Sequence, residues 1–367
     1  MVQHKIIYHE PGRFAGWPAN YGIWAWGEEI VVGFTVGYFS LAGGFHARDA
    51  SRPFLPMQAR SLDGGETWTV GPTPCRTPGN TGISADEHVR ADLSAAQALV
   101  EQRENLPADC PGEVRFTHPD FAMMCARSGL GAGTTAWFYL SADRCHSWAG
   151  PYRLPDFGLP GIEARTDYLV TGPEECLVFL TASKASGGEG AGIFCARTRD
   201  GGRHFELVSW VAQVEDGYAI MPSSVLTGEQ VLRTAIRRRA GSGDPGAANS
   251  FIDLYGSEDL GQTWQFISRP VPDTGYGGNP PALTRLRDGR LVITYGYRAR
   301  PFGIRARVSA DGGRTWGAEI VLRADAGNHD IGYPRTVARP DGSLVTVYYY
   351  NDQPEGERYI AATLWTP

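Results

Sequence analysis

This 367-residue sequence lacks the features of several large protein classes. No segment approaches the roughly 18 consecutive apolar residues that span a membrane, and no run of basic residues suggests a surface for nucleic acid. The six cysteines form no CxxC pair, which favours reduced, buried thiols over a metal site or a disulfide framework. The first residues, MVQHKIIYHEPGRF, contain no apolar signal core, and we therefore expect a cytoplasmic protein.

The composition that is present suits a folded β-protein. Hydrophobic residues make up 42% of the chain and charged residues 20%, with a formal net charge of −6 at pH 7. This balance excludes a disordered chain and allows a large buried core. The 47 glycines and 25 prolines indicate many turns, and the 11% aromatic content is typical of β-strands.

An eight-residue motif of the form Ser/Thr-x-Asp-x-Gly-x-Thr-Trp occurs five times. Its copies lie at 61–68, 141–148, 198–205, 257–264 and 309–316. In the first copy, SLDGGETW, Ser61 and Asp63 can hydrogen-bond the nearby backbone, and Gly65 can take a positive φ. Trp68 is a large apolar side chain that can lie between two sheets. The motif therefore predicts a tight turn with a packing wedge, and its acids are expected to serve structure and not catalysis.

A second repeat, made of strands, lies between these motifs. The segments at 279–298 and 333–350 each place Asp-Gly between two apolar runs, which is the strongest short signal for a β-hairpin. Less regular versions occupy 17–34, 118–141, 166–182 and 218–237. Each is predicted to be the inner strand pair of one sheet, and five are followed by a turn motif that joins two outer strands. Six such units predict an all-β, six-bladed β-propeller.

We expect this propeller to form one domain over residues 1–367. The strand HKIIYH near the N-terminus should pair in the sixth blade and close the ring. The segment 84–105 departs from the strand pattern, because its apolar residues have helical spacing and Ser84 and Glu87 can form a capping box. We therefore predict a helical insertion in the second blade.

The first strands of propeller blades surround the central axis, so the residues at the start of each hairpin should converge on one pocket. This rim is richer in arginine, acids and tyrosine than packing requires, and a ring of arginines is typical of carboxylate binding. The candidates for substrate binding are Arg13, Trp17, His118, Arg165, Asp167, Arg237, Asn279, Arg298 and Arg335. The candidates for the chemistry are His46, Asp49, Glu215 and Tyr333, and Glu163 is a further acid of the rim.

Two arginines of this rim should lie close together. Arg298 ends the second strand of the fifth blade and Arg335 begins the first strand of the sixth, so both should point toward the axis. Two guanidinium groups held together need a compensating charge. We therefore expect Arg335 to face the pocket, opposite an anion, ordered water or an acid.

The turn motifs on a six-bladed frame resemble the sialidase (neuraminidase) superfamily, in which they are called BNR repeats or Asp boxes. The resemblance covers nearly the whole chain and implies an exo-acting glycoside hydrolase on an acidic sugar whose carboxylate is held by three arginines. In that family a tyrosine attacks, because the acid of the substrate would repel a carboxylate nucleophile. The segment YPRTV…DG is similar to the family's late pattern and implies Tyr333 as the nucleophile. The position of FHARDASRPF implies Asp49 as the acid/base.

The sequence departs from the family pattern in two places. The first arginine of the family precedes a pair that corresponds to Trp17-Pro18, where this chain has Gly16, and Arg13 lies three residues earlier. The glutamate that would take the proton of the tyrosine should fall near positions 219–220, which are not acidic, and Glu215 is the nearest substitute. The resemblance therefore leaves the arginine set and the partner of the tyrosine open.

Two other functions stay open on the sequence alone. A polysaccharide lyase on a uronic acid, of the rhamnose–glucuronate type, also needs arginines and a histidine or tyrosine base, which His46 or His118 with Tyr333 would supply. A non-catalytic carbohydrate-binding propeller is favoured if the rim acids are paired and buried. The expected partner is an acidic oligosaccharide or glycoconjugate, and the sequence calls for no cofactor and no metal.

Overall fold

The computed structural model describes residues 2–78, 83, 106–241 and 249–367. Within these ranges nearly all regular structure is β-strand, arranged in six antiparallel sheets that follow one another along the chain. The sheets are the blades of a six-bladed β-propeller, which confirms the predicted fold class. The predicted helical insertion at 84–105 lies outside the described residues.

The strands are assigned to blades in chain order. The chain begins with β1 (Gln3–Tyr8). Blade 1 contains β2 (Arg13–Gly16), β3 (Ile23–Trp26), β4 (Glu29–Tyr38), β5 (Leu55–Ser61) and β6 (Thr69–Pro72). Blade 2 contains β7 (Ala122–Arg127), β8 (Ala136–Ser141) and β9 (Ala149–Arg153). Blade 3 contains β10 (Ile162–Glu163), β11 (Tyr168–Val170), β12 (Cys176–Ala182), β13 (Gly192–Thr198) and β14 (Glu206–Gln213).

The second half of the ring is more regular. Blade 4 contains β15 (Tyr218–Leu226), β16 (Leu232–Arg239), β17 (Ser250–Ser257) and β18 (Gln265–Val271). Blade 5 contains β19 (Ala282–Arg285), β20 (Leu291–Tyr297), β21 (Gly303–Ser309) and β22 (Ile320–Arg323). Blade 6 contains β23 (Gly332–Ala338), β24 (Leu344–Tyr350) and β25 (Tyr359–Trp365). Besides the strands, a short helix α1 (Pro18–Tyr21) and a 3-10 turn (Leu41–Gly43) lie in blade 1.

The two ends of the chain meet in blade 6, whose strand order is β1-β25-β24-β23. Strand β1 runs antiparallel to β25, with Gln3 opposite Leu364 and Ile6 opposite Ala361. The N-terminal strand therefore supplies the outermost strand of the last blade, and the prediction that it closes the ring is confirmed.

Blade 2 corrects one of the predicted hairpins. The segment 118–141 forms β7 and β8, but β8 ends at Ser141, where a turn motif begins. In every other blade that carries the motif, it follows the third strand, so β7 and β8 are the second and third strands of their blade and not its inner pair. The main-chain oxygen of Ile83 accepts a hydrogen bond from Arg127 N (3.2 Å), which places the preceding chain at the inner edge of this blade.

Each turn motif is held by the same local hydrogen bonds. In the first copy, Ser61 Oγ accepts from Gly65 N (2.7 Å), and Asp63 accepts from the backbone N (2.9 Å) and the hydroxyl (2.6 Å) of Thr67. The bond from the motif's fifth backbone N to the hydroxyl of its first residue recurs at Ser141, Thr198, Ser257 and Ser309. In the copy without glycine, Cys145 keeps the left-handed backbone, with φ of 64°. Local side-chain chemistry therefore builds all five turns.

The tryptophan of the motif joins neighbouring blades. Trp264 Nε1 donates to Ser209 Oγ of blade 3 (3.1 Å), and the Trp264 ring lies 6.0 Å from the ring of Phe179 in the same blade. Trp316 Nε1 donates in the same way to Ser268 Oγ of blade 4 (3.2 Å). The apolar clusters of the core likewise lie between adjacent sheets, so the indole rings extend the core to the periphery.

The helix α1 lies inside the ring, between β2 and β3, and all four of its residues are buried. On one side Ala19 packs in a cluster with Tyr218, Met221 and Tyr333. On the other side the Ala19 carbonyl accepts a hydrogen bond from Arg335 Nη2 (2.8 Å). The helix therefore separates a site that contains Tyr333 from a second space that contains Arg335. None of the described helices is long and apolar enough to cross a membrane.

Candidate active site

The candidate site lies at the end of the ring where the first strands begin. The register of blade 1 shows this. Ala15 of β2, Val36 of β4 and Leu55 of β5 lie side by side at one end of the sheet. Ala25 of β3 and the motif residue Ser61 of β5 lie at the other end. The turn motifs are therefore at the opposite face from the start of the first strands. This separation agrees with the structural role predicted for their acids.

Tyr333, near the start of β23, stands at the centre of the site. Its hydroxyl accepts a hydrogen bond from Arg237 Nη1 (3.1 Å), and its backbone N donates to Asn279 Oδ1 (2.9 Å). Its backbone is left-handed, with φ of 50°, as are those of Met221 (54°) and Trp17 (58°). Strained backbone of this kind costs about 1–3 kcal/mol per residue and is often found at functional sites. Asn279 is thus a positioning residue that fixes the main chain of the tyrosine.

Two arginines flank Tyr333, and they differ in how completely their nitrogens are hydrogen-bonded within the protein. The guanidinium carbons of Arg237 and Arg298 lie 5.7 and 5.5 Å from its ring centroid. Arg298 donates to Ile331 O (3.0 Å), to Gly278 O (2.9 Å) and to Tyr349 Oη (2.6 Å), so each of its nitrogens has a protein acceptor. Arg298 therefore connects the segments that contain Gly278 and Ile331, next to Tyr333.

Arg237 still has a nitrogen that could donate a hydrogen bond to a ligand. It donates to Gly277 O (2.6 Å) and to Tyr333, while its buried Nε has no hydrogen-bond partner among the described residues. Burial alone would lower the pKa of Arg237, but the nearby Tyr218, Tyr333 and Glu189 raise it overall. Arg237 therefore stays protonated and places a positive charge beside the phenol oxygen of Tyr333.

Glu163, at the end of β10, is the most unusual acid of the site, with 0% of its surface exposed. Its Oε1 accepts from Ser183 Oγ (2.8 Å) and from the backbone N of Gly131 (3.2 Å) and Gly190 (3.3 Å). Its Oε2 has no hydrogen-bond partner within the described part of the chain and lies 4.0 Å from Arg165 Nη1. Burial raises the pKa of Glu163, and the charge of Glu189 raises it further. Glu163 can therefore hold a proton at a pH where ordinary glutamates have lost it.

Glu189 is a site residue that the sequence analysis missed. It is half-buried in the glycine-rich loop between β12 and β13, and its charge acts on both Glu163 and Arg237. An acid in a flexible-looking SKASGGEGAG segment gives no signal of its own. The sequence contains one indication of its role. Glu189 lies in the loop that follows the second strand of blade 3, at the same end of the blade as Glu163.

His46 is held by a buried carboxylate. Its Nδ1 lies 2.6 Å from Asp330 Oδ1, and Asp330 also accepts from Tyr349 Oη (2.8 Å) and Arg358 Nε (2.9 Å). Burial lowers the pKa of His46 in spite of the opposing charge of Asp330. The imidazole is therefore neutral near pH 7, with Nδ1–H directed at Asp330 and Nε2 as the basic nitrogen.

Trp17 and Arg13 lie on the blade 1 side. The fully buried Trp17 ring packs 5.1 Å from the His46 ring, with the Arg48 guanidinium carbon 5.2 Å above it. Arg13 instead lies over the ring of Tyr38 (4.1 Å), whose centroid is also 3.1 Å from the Arg52 guanidinium carbon. Trp17 thus belongs to the wall beside His46, and Arg13 to a separate stack with Tyr38.

Three sequence candidates are engaged elsewhere. Asp49 accepts from the backbone N (3.0 Å) and hydroxyl (2.6 Å) of Ser51, and these bonds lower its pKa, which is the opposite of what a general acid needs. Glu215 is exposed. His118 is exposed too, and its Nδ1 accepts from the backbone N of Asp120 (3.2 Å), whose carboxylate pairs with Arg144 of a turn motif. Because the chain reaches β7 as a second strand, His118 is on the turn-motif side of blade 2.

Arg335 and Asp167 lie below α1, away from Tyr333. Arg335 Nη2 donates to Ala19 O and Thr166 O, and Arg298 shares neither acceptor. The arginine that accompanies Arg298 beside Tyr333 is Arg237, and the expected approach of Arg298 to Arg335 stays a prediction. One residue of β23, Pro334, separates Tyr333 from Arg335, and this spacing is enough to carry the arginine past the helix. Among the described residues, no group of three or more His, Cys, Asp and Glu side chains could hold a metal ion.

Comparison with known proteins bears on the fold. No family model and no curated protein matches the chain. Among solved structures, a protein of unknown function from Dyadobacter fermentans has 22% identity and a TM-score of 0.72, over 99% of this chain and 98% of that one. The NanB sialidase from Streptococcus pneumoniae has 10% identity and a TM-score of 0.59, over 99% and 70%. The α-L-arabinofuranosidase Arb93A from Fusarium graminearum has 11% identity and a TM-score of 0.57, over 99% and 97%. The chain therefore shares its six-bladed fold with a sialidase and an arabinofuranosidase.

Proposed function

We propose that this protein is an exo-acting glycoside hydrolase on an acidic sugar, with Glu163 as its general acid. The observation that carries the proposal is the Glu163 carboxyl, which is fully buried, has an elevated pKa and leaves Oε2 without a hydrogen-bond partner in the described chain. A carboxyl that stays protonated can give its proton to the glycosidic oxygen as the bond breaks. The buried helix α1 closes one end of the pocket. A pocket that is closed at one end suits the end of a sugar chain better than its middle.

Tyr333 is the proposed nucleophile. The Arg237 guanidinium donates a hydrogen bond to its hydroxyl (3.1 Å) and places a positive charge beside the proposed attacking oxygen. Glu189 acts electrostatically on this arginine and is the proposed acceptor of the phenol proton. A tyrosine is uncharged until it gives up its proton, so it avoids the repulsion that a carboxylate nucleophile would meet from the acid of the substrate.

The arginines of the site support an acidic substrate. Arg237 Nε and Arg165 Nη1 are buried nitrogens without a hydrogen-bond partner among the described residues. A buried donor that lacks a partner costs about 1–3 kcal/mol, which a substrate carboxylate would recover on binding. Arg165 is held in place by its Nε, which donates to Asn20 Oδ1 (3.2 Å) of α1.

The test combines substrates with a matched pair of variants. Aryl α-sialosides, aryl glucuronides and neutral aryl arabinofuranosides should be compared, and we expect turnover of an acidic member. Glu163→Gln should lower kcat about 10²–10⁴-fold on substrates with poor leaving groups. The control Glu229→Gln changes an exposed glutamate in a turn and should leave kcat unchanged. Because Glu163 must be protonated, wild-type activity should fall as pH rises through its elevated pKa.

The hydrolase proposal fails if none of the three classes is cleaved, or if Glu163→Gln keeps wild-type activity on a substrate with a poor leaving group. Preference for the neutral glycoside would instead remove the acidic-sugar part and leave the acid assignment intact. Product analysis by mass spectrometry separates these outcomes, because hydrolysis adds one water to the cleaved pair.

A uronate lyase is the second candidate, favoured by the His46–Asp330 pair. A neutral imidazole fixed through Nδ1 has the form of a general base that could remove the proton at C5 of a uronic acid. Elimination leaves a 4,5-unsaturated product with new ultraviolet absorbance, whereas hydrolysis leaves none. Appearance of that absorbance with glucuronate-containing oligosaccharides, and its loss in His46→Gln, would establish the lyase.

A further inference from the structure

A second cavity lies inside the ring on the other side of α1. Its volume is about 280 Å³, and its wall includes Trp24, Asp167, Ser224, Leu283 and Arg335. These residues come from five blades, so the cavity is on the propeller axis. Tyr333, Arg237 and Glu163 do not line it, and the space is distinct from the candidate active site.

Arg335 is an incompletely partnered cation in this wall. Its Nη2 donates to the carbonyl oxygens of Ala19 (2.8 Å) and Thr166 (2.6 Å). Its Nε is buried without a hydrogen-bond partner among the described residues. A guanidinium enclosed by strands needs a counter-charge, because the loss of hydration is not recovered by two carbonyl dipoles.

Among the described residues, the carboxylate whose charge acts on Arg335 is that of Asp167. Asp167 accepts hydrogen bonds from the backbone N (3.0 Å) and the hydroxyl (2.7 Å) of Ser224, whereas the hydrogen bonds of Arg335 go to Ala19 and Thr166. Burial raises the pKa of Asp167 to about 6, so the carboxylate is mostly charged at neutral pH and becomes neutral as the pH falls toward 5. The other titratable groups near Arg335 are Arg165, which adds positive charge, and Cys125, whose pKa is raised to about 12 by burial and which is therefore neutral.

We propose that this axial cavity binds a small anion, such as a halide, phosphate or short carboxylate, next to the free side of the Arg335 guanidinium. At about 280 Å³ the cavity has room for a small anion with part of its hydration shell. Trp24, Leu283 and Val337 supply apolar wall, and this limits the charge that can be accommodated. The site is independent of the proposed hydrolase activity.

The anion should bind more tightly at lower pH. Protonation of Asp167 removes the negative charge that competes with the anion for Arg335. Burial lowers the pKa of Arg335, but an arginine titrates so far above neutrality that it keeps its charge at about pH 5–8. The blades 1, 4 and 5 contribute Trp24, Ser224 and Leu283, which do not titrate in this range. Asp167 is therefore the group that sets the pH dependence.

Bromide is the probe for the direct test. Crystals of the full chain soaked in sodium bromide at pH 5 should show an anomalous scattering peak in the cavity beside Arg335. In solution, thermal unfolding at constant ionic strength, with gluconate replaced stepwise by bromide, should show saturable stabilisation at pH 5 and weaker binding at pH 7.5. A cavity without a bromide peak, or bromide found only at the surface, would overturn the proposal.

Two variants test the roles of the charged residues. Arg335→Met should weaken bromide binding at least tenfold, whereas Arg305→Met, which removes a buried arginine of blade 5 away from the cavity, should bind bromide like the wild type. Asp167→Asn should bind bromide about tenfold more tightly than the wild type at pH 7.5, and the two should be equal at pH 5. If Arg335→Met does not fold, Asp167→Asn decides: unchanged or weaker binding at pH 7.5 contradicts the proposal.

Discussion

The acids of the turn motifs and the acid at Glu163 show how one chemical group serves two purposes. Both oxygens of Asp63 accept hydrogen bonds from Thr67, and these bonds lower its pKa to about 2. Glu163 has one oxygen without a hydrogen-bond partner in the described chain, and burial raises its pKa. The first acid is fixed in its charged form and stabilises a turn, whereas the second is kept ready to hold and release a proton. The surroundings of a carboxyl, and not its identity, assign its role.

The largest expected effect lies on the site side of this comparison. Arg237→Met removes the guanidinium that bonds the Tyr333 hydroxyl and offers its free Nε to a substrate acid. The loss of a buried, hydrogen-bonded charge costs about 2–5 kcal/mol, so we expect kcat/KM on an acidic glycoside to fall at least thirtyfold. Steady-state kinetics measure the loss. Arg269→Met, at a half-exposed arginine of blade 4, is the control and should keep wild-type kinetics. Equal kinetics for both variants would show that Arg237 has only a packing role.

The next effect should appear in stability and not in catalysis. Trp68 donates from Nε1 to Gly65 O (2.9 Å) and packs against the apolar cluster between blades 6 and 1. Trp68→Ala should lower the free energy of unfolding by about 3 kcal/mol, the lower end for a large aromatic truncation, because the ring is only half-buried. Chemical denaturation measures this change. The folded variant should keep its kcat, and an unaltered unfolding midpoint would refute the wedge role.

The smallest effect concerns the turn acid and depends on pH. Asp63→Asn should cost about 1 kcal/mol, comparable to the loss of a helix N-cap, because the bonds to Thr67 resemble that arrangement. The lowered pKa means that the contribution of Asp63 is complete above its ordinary pKa near 4 and is lost as the pH falls through about 2. The stability difference between wild type and variant, measured by denaturant unfolding, should therefore shrink from about pH 5 and close near about pH 1. An undiminished difference near about pH 1 would contradict the role of the charged Asp63.

Much of the fold could be predicted because its signals are local. The motif at 61–68 forms its hydrogen bonds within eight residues, and the Asp-Gly hairpins turn within a few residues. The place of the hairpin in blade 2 was harder to predict, because the segment 118–141 has the same alternating pattern whether it forms an inner or an outer strand pair. Only its direct continuation into a turn motif distinguishes the two arrangements.

The sequence by itself determined the six blades, their five turns and the closing strand, because short-range hydrogen bonds and alternating side chains specify them. The chemistry of the site was decided by the tertiary structure. Asp330 reaches His46 across 284 residues, and Glu189 acts on Glu163 from another loop. The helix α1 decides that Tyr333 and Arg335, two positions apart on one strand, face different spaces. Burial, partner choice and pKa arise only when the ring closes, since they depend on groups from other blades that have no fixed distance in the unfolded chain.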